Sequence, residues 1–322
     1  MLKNITYCLR FLYQLAPGST GAMELWVLFA FVAATTQTFR SAGQKKMKGV
    51  IGDFGASYIR FSYALPFAAL WLFVWSAATS TPIPQTNMSF WIWVSVGGLT
   101  QVIFTILLLT LFNHRNFAAG TAFSKTEVLQ AAIFEALIIG EIVSLQTGIA
   151  IAIGVLAVLM LSFHQSQTGL RALMSSLFSM QTGLGLATGA FLGLSTVSFR
   201  AATESLGASD LVLRASMSAF CSTLLQTVIM GAILACFIRR EFVASFIHWR
   251  QGWPVGLLGA ITTACWFIAF SLENVASVRA VGQIELLITL VVTGSIFKER
   301  INKIEYMAIA LISLSILLVL FD

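Results

Sequence analysis

Ten stretches of about twenty residues, each dominated by apolar side chains and nearly free of charge, follow one another along the chain. A helix needs about 20 such residues to cross a hydrocarbon core about 30 Å thick. The candidate spans are 24–46, 54–77, 88–112, 117–139, 145–163, 181–204, 209–237, 252–273, 275–296 and 303–321. Barrel strands alternate over about ten residues, so run length selects helix. Charged residues are 10% of the 322, against about 25% in a soluble domain. Mean hydropathy is +0.88. The chain reads as an all-α integral membrane protein, which excludes a soluble enzyme, a disordered chain and a secreted disulfide scaffold.

The breaks between spans carry turn or charge signals: Gly49 to Asp53, Thr81-Pro82-Ile83-Pro84, Gly140-Glu141 and Lys298-Glu299-Arg300. Several are only a few residues long, which makes neighbouring helices antiparallel. The net charge of +6 fits loops retained in the cytoplasm and gives no reason to expect nucleic-acid binding. Cys8, Cys221, Cys236 and Cys265 lie far apart, and three sit inside apolar runs as small core residues. His114, His164 and His248 have no metal-ligand spacing. There is no G-x-x-x-x-G-K-[ST] motif for a nucleotide. No metal, cofactor or catalytic residue is expected.

An internal repeat organises the spans. Residues 91–161 shifted by 158 positions match at about a quarter of positions without a gap. The pairs include Trp91/Trp249, Gly98/Gly256, Thr105/Thr263, Asn116/Asn274, Glu127/Glu285 and Glu141/Glu299. Shared apolar composition would raise Leu, Ile and Ala matches, but not two glutamates and an asparagine at fixed spacing. Upstream the offset is 160, pairing Thr36 with Thr196 and Arg40 with Arg200; Arg60 pairs with Arg214 at 154. The expected division is an amino-terminal extension 1–22, a five-helix repeat 23–163, a linker 164–180 and a second five-helix repeat 181–322.

Five is odd, so the second repeat enters the membrane from the opposite side. The expected fold is ten transmembrane helices as two inverted five-helix repeats. In secondary transporters this architecture places the substrate site near the midplane, at the repeat interface. Two inverted halves can exchange conformations and open that site to each side in turn.

Gly140-Glu141, followed by Gln146, Gly148, Gly154 and Val155, resembles the ending of the EamA-type half in the drug/metabolite transporter superfamily. Phe297-Lys298-Glu299-Arg300 stands at the corresponding place in the second half, and Arg60-Phe61 is similar to the family's motif near the start of the second span. The resemblance runs from Met23 to Leu320 as two tandem copies. It implies a basket-like ten-helix carrier of small organic solutes, often working outward. Val128 and Leu286 depart from the family pattern, which has a proline there.

An ionisable group in the hydrocarbon costs at least ~2.5 kcal/mol and therefore faces the bundle interior or a water-filled cavity. Glu127 falls near the middle of the fourth span and Glu285 at the same depth in the ninth, which makes them candidates for binding substrate or protons. Lys125, its counterpart Gln283, Asn116 and Asn274 join them as candidates; Glu135 reads as structural. Thr36, Arg40 and Gln44 recur at i, i+4, i+8 as one polar stripe, repeated by Thr196, Arg200 and Glu204. With Arg60 and Arg214 they are gate or cavity candidates, although Arg60 and Arg214 also suit arginines snorkelling to headgroups. Phe104, Trp266 and Phe267 are aromatic candidates for a cavity wall.

The expected function is a secondary transporter of a small organic solute, such as an amino acid or similar metabolite, exporting it with proton coupling through Glu127 and Glu285. The alternative is a channel or lipid scramblase without alternating access. The expected partners are the solute, membrane lipid and protons, and the expected location is the cell membrane, the inner one in a bacterium. If the amino-terminal side is side A, it holds 5 basic residues, Arg279 included, against 13 on side B. The positive-inside rule then puts both termini outside, whereas the family resemblance puts them inside.

Overall fold

The computed structural model describes residues 20–112, 126–165, 180–207, 210–288 and 303–321. Twelve named helices account for nearly all of these, and no strand occurs among them. They are α1 (Thr20–Ile51), α2 (Asp53–Ser62), α3 (Leu65–Thr79), α4 (Met88–Phe112), α5 (Glu127–Ile138) and α6 (Leu145–Gln165). Then come α7 (Met180–Glu204), α8 (Leu211–Phe237), α9 (Arg239–Ile247), α10 (Trp249–Leu272), α11 (Val275–Gly282) and α12 (Lys303–Leu320). After a turn at Gln283, helical backbone resumes over 284–288.

Among the described residues, five stretches are long and apolar enough to cross a membrane: Asp53–Thr79, Met88–Thr110, Thr182–Glu204, Leu211–Phe237 and Trp249–Leu272. Leu145–Met160 and Tyr306–Leu320 are shorter apolar helices. At 32 residues α1 has the length, but Gln37, Arg40, Gln44 and three lysines make its second half polar. Large apolar side chains such as Phe73, Leu137, Ile142 and Leu156 stand exposed on the outside, as on a lipid-facing surface.

Two elements differ from the sequence expectation. The second span breaks into α2 and α3 at Tyr63-Ala64, because Pro66 has no N–H to give Ser62 and its ring crowds the preceding turn. Its repeat counterpart α8 has Phe220 at that register and runs unbroken. The connection after α8 is also more than a loop. It forms α9, whose Phe242 and Phe246 pack on Tyr58 of α2.

Side-chain contacts show which helix ends meet. On side A lie the ends of α3, α5, α7 and α10 with the starts of α4, α8 and α11. Trp75 donates its indole N–H to Asp210 at 3.1 Å, and Asn87 donates to the carbonyl of Ser205 at 2.5 Å. On side B, Glu241 of α9 accepts the backbone N–H of Gly55 at 2.7 Å, capping the start of α2. Its carboxyl group fills the space a Cβ on Gly52 would need, and Gly52 has φ +86°. The core is formed largely by α1, α5, α6, α10, α11 and α12, with a second cluster where α4, α7, α8 and α10 meet.

Candidate functional site

A cavity of about 700 Å³ lies between the two halves of the sequence. Its upper wall is the polar face of α1, with Gln37, Arg40, Ser41, Gln44, Lys45 and Lys48, and the last three of these reach side B. Arg60 of α2 and Phe104 and Thr105 of α4 form another wall; Gln101 of α4 meets Gln226 of α8, whose amide donates to it at 2.6 Å. Thr196, Phe199, Phe267 and Phe270 make the floor towards side A, where the rings of Phe199 and Phe267 sit 5.0 Å apart. The cavity opens to side B.

Its charged centre is built from both halves. Glu285 accepts from the side-chain amide of Gln37 at 2.6 Å, and Gln37 in turn accepts the indole N–H of Trp266 at 3.0 Å. Arg279 forms an ion pair with Glu127 and lies over the Trp266 ring, 5.1 Å from its centroid. Arg60 donates to Thr105 at 3.3 Å and stacks on Phe61 at 4.3 Å. Arg40 makes no hydrogen bond or ion pair with a described residue, and the Nε atoms of Arg40 and Arg60 are both buried without a partner. Gly259 of α10 permits this crowding: a Cβ there would lie 2.9 Å from the Arg60 carbonyl oxygen and 3.7 Å from Arg40 Cδ.

Side A is sealed beneath the floor. Arg200 donates Nε to Glu204 at 2.7 Å, holds both oxygens of Glu141 at 2.8 and 2.9 Å, and is ion-paired with Glu135. Glu135 is 1% exposed and also accepts the backbone N–H groups of Val275 at 2.7 Å and Ala276 at 3.2 Å. Three carboxylates outnumber one guanidinium here. The start of α11 supplies the remaining positive potential through its free N–H groups. Glu141 reaches Arg200 because Gly140 ends α5 at φ +84°, a left-handed conformation suited to glycine.

The site expected from sequence is partly regrouped. Arg40, Gln44 and Thr196 line the cavity, while Thr36 stands behind it, accepting from the lining Thr262 at 2.9 Å. Arg60 is no headgroup arginine: the kink at Pro66 and the close packing of α10 turn it inward. Arg200 and Glu204 belong to the seal. Arg214 lies outside the cavity lining, with a buried Nε that has no partner. Arg279, counted above as a side A loop charge, points into the protein.

Glu285 faces the cavity, while Glu127 is held behind Arg279. Between the two glutamates, beside Gln283, is a space of about 10 Å³, near the minimum for one water. Gln283 is buried against α6, where Gly154 makes room for it, and does not line the cavity. Asn274 is a helix cap: its side chain accepts from Ser277 N–H at 2.8 Å, a role to which asparagine is well suited. Asn116 and Lys125 lie outside the described residues.

Gln37, Gln101, Gln226 and Arg279 were missed as site residues. The three glutamines are polar side chains well inside apolar runs, and that depth was the available signal; Arg279, near the start of its span, carried none.

Fold and cavity define a polytopic helical membrane protein with a polar chamber open at one end. Residues 181–321 match the EamA-like transporter family. The match covers the second half of the chain, which is similar to that transporter family. No curated protein matches it. A crystal structure of a protein 14% identical to it superposes with a TM-score of 0.65, over 91% of this chain and 95% of the other. At that identity the likeness speaks for the fold alone.

Proposed function

We propose that the protein is a secondary carrier of a small organic solute, built as two inverted five-helix repeats that open the central cavity to each side in turn. The observation that carries this reading is the asymmetry of the two ends. Arg40 and Arg60 of the first half stand in an open chamber, while their repeat counterparts Arg200 and Arg214 lie outside it, Arg200 locked in the seal. Two inverted halves in different conformations produce such an arrangement. A closed end also argues against a continuously open channel.

Lys45, Lys46, Arg239, Arg240 and Arg250 are exposed on side B. By the positive-inside rule that side faces the cytoplasm, so the cavity is loaded from within and the carrier works as an exporter. Glu285 is the proton-binding candidate, because it faces the cavity whereas Glu127 does not line it.

The test is metabolite profiling of cells and medium with wild type, empty vector and Arg40→Gln. The expected result is a solute that moves from cells to medium only with the wild type, at a rate that saturates. Non-saturating flux would favour the channel, and identical media in all three would overturn export.

A further inference from the structure

We infer that the cavity takes its substrate as an organic anion, the acid group seated between Arg40 and Arg60 and the body lying along the aromatic wall. This rests on the reading of the cavity as the substrate site. The charges on its walls are Arg40, Arg60, Arg279, Lys45 and Lys48 against Glu285 alone. Glu127 neutralises Arg279 and Asp53 lies 3.4 Å from Lys48; the remaining cations Arg40, Arg60 and Lys45 still outnumber Glu285, which leaves a positive excess.

Arg40 and Arg60 line the same cavity and both approach Gly259, Arg60 through its carbonyl oxygen and Arg40 through Cδ. Between them they have one side-chain hydrogen bond to a described residue, from Arg60 to Thr105. Two partly buried guanidinium groups lining one cavity, neither in an ion pair with a described carboxylate, are a costly arrangement unless an anion joins them. The planar donor fork of arginine suits a carboxylate or a phosphate equally.

The same geometry speaks against a zwitterion. A substrate ammonium would need Glu285, but Gln37 already donates to that carboxylate, and both Arg279 and Arg40 act on it electrostatically. The chamber walls beside the arginines are apolar and aromatic, with Phe104, Trp266 and Phe270. Its volume of about 700 Å³ is that of a pocket for a drug-sized molecule rather than an inorganic ion.

The experiment uses purified full-length protein in lipid nanodiscs and four probes sharing one phenyl body: 3-phenylpropionate, phenylalanine, 3-phenylpropanol and 3-phenylpropylamine. Binding is read as thermal stabilisation and as a change in tryptophan fluorescence. The expected order is the carboxylate first, with the alcohol and amine far behind. Arg40→Gln and Arg60→Gln should each weaken carboxylate binding roughly ten- to a hundred-fold, the loss of one charge-assisted hydrogen-bonding group. Arg214→Gln, outside the cavity, should leave binding unchanged.

The charge series on the wild type stands by itself should either cavity variant fail to fold. Binding of the amine or of phenylalanine as strong as that of the propionate would overturn the anion inference and leave the carrier reading intact. Carboxylate binding untouched by both substitutions would overturn it too. Binding by none of the four would count against the inference and the cavity reading together.

Discussion

Glu135 of α5 and Arg200 of α7 form a buried ion pair that joins the two halves of the sequence on side A, and the same Glu135 caps the start of α11. Removing one member of a buried pair leaves the other charge uncompensated, at a cost of about 3–5 kcal/mol. Arg200→Gln is therefore expected to lower thermal stability sharply. Glu204 is 41% exposed at its side chain, so Glu204→Gln should cost at most about 1 kcal/mol. Melting curves of both variants in one detergent check the contrast.

Gly140 sets the reach of Glu141. An alanine at φ +84° adds about 1–2 kcal/mol of backbone strain and pulls the end of α5 out of register with Arg200. Gly140→Ala should loosen the seal although a Cβ there would touch nothing within 4 Å. The check is the reactivity of a cysteine placed at buried Thr203, which should rise in the Gly140→Ala background.

The packing of α10 on the α2–α3 kink has no slack. A Cβ on Gly256 would lie 2.3 Å from Tyr63 Cβ and 2.5 Å from its carbonyl carbon, and backbone cannot yield as a side-chain tip can. Gly256→Val is expected to abolish the folded yield measured by size-exclusion chromatography. Gly49→Ala, where the space is open, should be neutral.

Glu285 is the proton-linked carboxylate in this account. Once a transported solute is in hand, Glu285→Gln should retain transport and lose its dependence on pH. A wild-type pH profile in the variant would assign proton coupling elsewhere or remove it.

Much of this was legible in the sequence. The length of the apolar runs gave helices in a membrane, and the paired glutamates and arginines at fixed offsets pointed to Arg40 and Glu285 as inward-facing. Glu135 was read as structural and turned out to be the hub of the seal. Other features needed three dimensions. Arg60 could have reached headgroups as easily as the cavity, and only the kink at Pro66 and the approach of Gly259 decide between them. Asn274 matched Asn116 so well that a binding role suggested itself, yet the match to the start of α11 is that of a cap. Arg279 lies near the start of its span, where a loop charge is the ordinary reading; its partner Glu127 is 152 positions away.

The most direct measurement is thiol accessibility from the two faces of the membrane. In a background with the native cysteines replaced by serine, single cysteines at Ser41, on the cavity wall, and Thr203, beneath the seal, are exposed to a membrane-impermeant reagent in oriented vesicles. The expected result is rapid labelling at Ser41 from side B alone and none at Thr203. Weakening the seal with Glu141→Gln should slow labelling at Ser41 while exposing Thr203 to side A. Labelling of both positions at once in the wild type, or a Ser41 cysteine whose reactivity is indifferent to the seal, would contradict alternating access.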